Sequence, residues 1–103
     1  MIIEIQIKNA SLDLSRSIIN GLNDVETDEK GSLRGVDPTT IFSITGSIAS
    51  IVQAVIIIWD RINKKKNPSI FATIQSEDGT VLEIHKVQNK DELSIQVNDM
   101  LKD

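Results

Sequence analysis

Residues 2 to 8 read IIEIQIK, so that Ile3, Ile5 and Ile7 alternate with Glu4, Gln6 and Lys8. Period two in a β-branched run lays one face of a strand on a core. The alternation breaks at Asn9 to Ser11, and Leu14, Ile18, Ile19 and Leu22 then recur at helical spacing, with Ser11 placed to cap them. This predicts a helix of about three turns, weakened near its end by Gly21, which costs about 1 kcal/mol relative to Ala. Residues 23–40, NDVETDEKGSLRGVDPTT, mix charges, glycines and a proline without periodicity and read as a long loop. Pro38 pushes Asp37 away from helical geometry, and Thr39 or Thr40 stands where a second helix would be capped.

SIFATIQ, residues 69 to 75, and TVLEIHKV, residues 80 to 87, read as two strands joined by SEDG, with Gly79 supplying the positive φ of a tight turn. Asn89 followed by Glu92 has the form of a capping box, and Leu93, Val97, Met100 and Leu101 mark the buried stripe of a last helix. The expected architecture is one α+β domain over residues 1–103 in the order β-α-α-β-β-α. A three-stranded sheet, made of the N-terminal strand and the C-terminal hairpin, packs against a long central helix and two shorter ones.

The central segment, residues 41–59, reads IFSITGSIASIVQAVIIIW and carries no charge before DRINKKK. As a helix it would be about 28 Å long, close to the hydrocarbon thickness of a bilayer, with Arg61 and Lys64 to Lys66 placed as a cytoplasmic flank. A small single-pass protein anchored by residues 41–59 is therefore the competing reading. At 100° per residue, however, Ile41, Ile44, Ile48, Ile51, Val52, Val55 and Trp59 share one stripe, opposite Ser43, Gly46, Ser47, Ser50, Gln53, Ala54 and Arg61. Such segregation belongs to a helix lying on a sheet. A bilayer would also part the first strand from the hairpin, and an isolated hairpin is marginal in water. The expectation is a helix buried by its own chain, with no membrane contact. Gly46, Ser50 and Ala54, spaced by four, form a small-residue groove open to three uses: packing within the chain, contact with a second copy, or association in lipid.

Composition narrows the chemistry. The chain has two Phe, one Trp, no Tyr and a net charge of −4, a poor endowment for stacking bases or neutralising phosphates, so no nucleic-acid partner is expected. Without cysteine there is no disulfide, thiolate nucleophile or sulfur-ligated metal, which suits a reducing compartment. Glu4 and Lys8 interrupt any secretory h-region, and the expected location is cytoplasmic. The sole imidazole, His85, shares a strand phase with Val81, Glu83 and Val87, on the less buried face, and no nucleophile motif accompanies it. Asp24, Glu26 and Asp28 open like a calcium loop, but Glu29 stands where glycine is needed and Gly35 where glutamate is needed. Gly31 and Gly35 lack the flanking strand and helix of a phosphate cradle. Arg61 and Lys64 to Lys66 complement a helix C-terminus. No catalytic, cofactor-binding or metal-binding residues are assigned, and the chain does not read as an enzyme.

SLRG at 32 to 35, with Leu33, Arg34 and Gly35, is followed by Gly46 in the uncharged segment, Trp59 and Arg61 in IIIWDRINKKK, and Asp78, Gly79 and Val81 at the hairpin. In this order and spacing the chain resembles, over nearly its whole length, the effector-associated constant component family. These are small bacterial proteins encoded beside effectors, commonly trypsin-like or caspase-like peptidases, in defence and other conflict systems. The chain departs from the family at Gly21, where members often carry an aromatic residue, and in its preponderance of isoleucine. The resemblance implies a non-catalytic intracellular adaptor that meets a neighbouring effector or assembles with itself. The candidate partner-binding residues are Leu33, Arg34, Gly46, Ser50, Ala54, Trp59 and Arg61.

Overall fold

The computed structural model describes residues 1–33 and 39–102, without the side chains of residues 30–33. The elements run β1 (Ile2–Lys8), α1 (Leu12–Asn20), β2 (Glu26–Leu33), β3 (Thr39–Thr45), α2 (Ile48–Lys65), β4 (Phe71–Gln75), β5 (Val81–Glu83) and α3 (Lys90–Leu101), with a 3-10 turn at Ile84–Lys86 after β5. The strands form one antiparallel sheet in the order β2-β3-β1-β4-β5. The domain is thus α+β, but the sheet has five strands where three were expected, and the order is β-α-β-β-α-β-β-α.

Both extra strands come from stretches read differently in the sequence. The expected loop at 23–40 contains β2, and the expected start of the central helix at Thr39 or Thr40 is instead the start of β3. Ile41, Ile44 and Ile48 do recur at helical spacing, yet Thr39, Thr40, Ile41, Ile44 and Thr45 are all β-branched and stiff at χ1, which favours a pleated strand. The true helix start is Ser47, whose side chain accepts from the Ser50 N–H at 3.2 Å. The uncharged segment 41–59 is therefore divided between a strand and a helix. Among the described residues no helix is long and apolar enough to cross a membrane.

β2 escapes sequence reading for a different reason. As an edge strand with Glu26, Asp28 and Glu29 exposed, it has no apolar alternation to display. It is held by pairing with β3, from Glu26 opposite Thr45 to Leu33 opposite Thr39, with a bulge between Glu29 and Gly31.

The remaining elements lie close to expectation. The hairpin joins Gln75 to Val81, and Gly79 has φ of +91°. β5 is shorter than the predicted 80–87, because the chain winds into the 3-10 turn after Glu83. Ser11 caps α1 by accepting from the Leu14 N–H at 3.1 Å, and Asn89 caps α3 by accepting from the Glu92 N–H at 2.8 Å. The Glu92 carboxylate accepts from the Gln96 side chain rather than completing a capping box.

Register lines up the core. Ile5 stands between Phe42 and Ile74, Ile3 opposite Ile44, and Ile7 between Thr40 and Ala72. The apolar members of this set are all buried, together with Ile18 of α1, Ile51, Val55 and Ile58 of α2, and Leu93 and Val97 of α3. All three helices therefore cover the same face of the sheet. The alternate residues of the strands lie on the other face, which no helix covers among the described residues.

Candidate functional site

Several residues singled out in the sequence act as ties between elements. The Trp59 indole N–H donates to the Val87 carbonyl at 3.1 Å, joining α2 to the segment that leads into α3. Arg61 reaches the other way, its Nη1 donating to the Ser17 hydroxyl in the last turn of α1. That turn has no basic residue of its own, so the guanidinium supplies the positive charge a helix C-terminus favours. A Cβ on Gly21 would stand 3.2 Å from Nη2 of Arg61, so a side chain at this position would press on the guanidinium.

The small-residue set is only partly a helix face. Gly46 precedes α2, and a Cβ there would lie 3.1 Å from Val25 Cγ1. Ala54 is buried and Ser50 half-buried, and both line a cavity of about 210 Å³ with residues 21–25, Gln53 and Ile57. The connection from α1 to β2 thus lies across this face. Leu33 ends β2 opposite Thr39, and Arg34 lies outside the described residues.

Other chemically capable side chains also turn to their own chain. His85 occupies the 3-10 turn, not the expected strand phase, and its Nδ1 lies 3.0 Å from the Ala72 carbonyl oxygen and 3.2 Å from the Ala72 nitrogen. The ring thereby occupies the flank of β4 just beyond the end of β5, and it tilts against Phe71 with centroids 5.0 Å apart. The Asp78 carboxylate accepts from the Ser76 hydroxyl and the Thr80 N–H, which hold its pKa below the ordinary value. Among the described residues no group of three or more His, Asp or Glu is placed to hold a metal ion.

The surface that residue reading did not assemble is the uncovered face of the sheet. From register it presents Glu26, Thr45 and Ile2 at one end, and then Asp28, Ser43, Glu4, Gln75 and Val81. Ile41, Gln6, Thr73 and Glu83 cross its middle, and Thr39, Lys8 and Phe71 lie at the far end. Ile2, Phe71 and Val81 are exposed, while Ser43 and Thr39 are buried. Glu83 accepts from Lys86 at 2.8 Å, and this hydrogen bond, with the cation's charge, lowers its pKa. The polar half of IIEIQIK belongs to this face; its extent stayed hidden because β2 and β3 were not recognised.

No family model and no curated protein matches the chain. Among solved structures it is similar to a de novo designed protein, Foldit4, with a TM-score of 0.52 and 20% identity, over 74% of this chain and 96% of that one. A likeness at that identity concerns the fold alone.

Proposed function

We propose that the chain is a non-catalytic interaction module, an adaptor for a protein effector encoded beside it in a bacterial conflict system, acting in the cytoplasm. The observation that supports this reading is the use made of the reactive side chains. Trp59, Arg61, His85 and Asp78, which carry most of the chain's distinctive chemistry, are each engaged by Val87, Ser17, Ala72 or the hairpin turn. Catalysis requires a nucleophile, acid or base within hydrogen-bond reach of a substrate and oriented by a further group. Residues spent on holding elements together suit a scaffold that presents surface. The order of Gly46, Trp59, Arg61, Asp78 and Gly79 is the one shared with the effector-associated family, and each sits at a junction of this fold.

The partner class that follows is a peptidase, trypsin-like or caspase-like. The test is calorimetric titration of the purified chain into the purified product of each adjacent reading frame, with peptidase activity followed in parallel. Saturable binding to a peptidase product at a fixed stoichiometry is expected. Heats no larger than dilution for every neighbour would overturn the reading.

A further inference from the structure

We infer that the uncovered sheet face is the contact between two copies of this chain, with β1 of one copy lying antiparallel over β1 of the other. The face is charged in a self-complementary way. Glu26, Asp28 and Glu4 cluster towards one end of the strands, and Lys8 stands at the other, with Gln6, Thr73 and Ile41 between them. Among the described residues Glu4 and Lys8 form no ion pair, whereas Glu83 on the same face already has Lys86.

A homodimer formed face to face has its twofold axis between the sheets. An axis across the strands through Gln6 reverses the rows, so that Glu4 lies over the partner's Lys8 and Lys8 over the partner's Glu4, while the Gln6 row meets itself: Ile41 over Ile41, and Glu83, already neutralised by Lys86, over Glu83. An axis along the strands would keep the rows and oppose Glu4 with Glu4 and Lys8 with Lys8. Opposite charges steer association and like charges across an interface oppose it, so the first arrangement is selected. Aligned packing of two sheets is a common geometry for strands in either direction.

The edges of the sheet are poorer places for a second copy. β5 has three residues and ends in the 3-10 turn, and β2 is bulged and carries exposed acids. Both are features that block pairing along an edge. With the axis at Gln6 the overlap runs from Glu4 to Lys8, so five strands and five residues give a footprint of about 20 by 17 Å at most, below the usual size of specific interfaces. The dimer is therefore one that forms and dissociates with concentration. Face contact with a second copy also requires nothing of an effector, so it stands or falls apart from the adaptor reading.

Sedimentation equilibrium of the full chain tests it. The expected result is a monomer–dimer equilibrium that weakens with salt, and dissociation about tenfold or more easier in Glu4→Lys and in Lys8→Glu, each of which opposes like charges. Mixing these two variants sets the two lysines of one chain against the two glutamates of the other, so both contacts regain opposite charges and dimer should return as the mixed pair. Both positions are exposed, and recovery on mixing cannot come from misfolded chains. A wild type that stays monomeric at millimolar concentration, single variants that dimerise as the wild type does, or a mixture no better than its parts would each overturn the inference.

Discussion

The two faces of the sheet are built from the same strands in alternate residues, yet they differ in almost every physical respect. One carries Ile3, Ile5, Ile7, Phe42, Ile44 and Ile74, buried beneath three helices; the other carries Glu4, Gln6, Lys8, Thr73 and Phe71, with no helix over it among the described residues. The two phenylalanines put the difference on one scale. Phe42 is 0% exposed and Phe71 42% exposed. Stability resides chiefly on the first face, while the second contributes less apolar burial to it.

The largest effect should come from breaking the covered face. Phe42→Ala removes the largest fully buried side chain, opposite Ile5 at the middle of the sheet, and should destabilise the fold by about 3–5 kcal/mol, read as a lower urea midpoint. A loss below about 1 kcal/mol would mean that the helices do not seal this face. Next is the layer that does the sealing. Trp59→Phe keeps the aromatic body but leaves the Val87 carbonyl without its indole donor, and about 1–2 kcal/mol should be lost in the same measurement. The open face should respond less. Phe71→Ala removes a half-exposed ring and its tilted contact with His85, for about 1 kcal/mol, so the ratio of the two Phe→Ala costs measures the contrast directly.

The same contrast explains what the sequence could disclose. β1, the hairpin and α3 were legible because burial of one face imposes a period, and caps such as Ser11 and Asn89 mark where periods begin. β2 was illegible because an edge strand has little burial to impose one; its register is a property of β3, its partner. β3 was hidden by coincidence of period. Thr40, Phe42 and Ile44 alternate inward, but Ile41, Ile44, Ile48 and Ile51 also keep helical spacing, and the uncharged run concealed the break at Gly46 and Ser47. The weight of β-branched residues before Gly46 was the available signal. Of the candidate site, Trp59 and Arg61 were read as partner contacts, whereas in the fold they bond to Val87 and Ser17, 28 and 44 residues away, and such pairing follows only from the fold. The open face was invisible for the same reason, since a surface shared by five strands cannot be read from three.

The smallest effect concerns charge on the open face. The Lys86 ammonium, by hydrogen bond and then by its charge, holds the Glu83 carboxyl below its ordinary value of 4.5. A carboxyl whose pKa is lower in the folded chain than in the unfolded one stabilises the fold above the unfolded value, and that contribution is lost as pH falls through the folded value. The pair is exposed, so solvent and salt screen it and its share of stability is minor; the titration itself is the better readout. Carboxyl resonances followed by NMR from neutral to strongly acidic pH should show Glu83 titrating below 4.5 in the wild type and returning towards 4.5 in Lys86→Ala. Phe42 and the isoleucines beneath it should keep their shifts throughout that change. If removing Lys86 instead disturbed the core resonances, the two faces would be coupled through the short β5 strand, and the open face would not be free to vary independently of the fold.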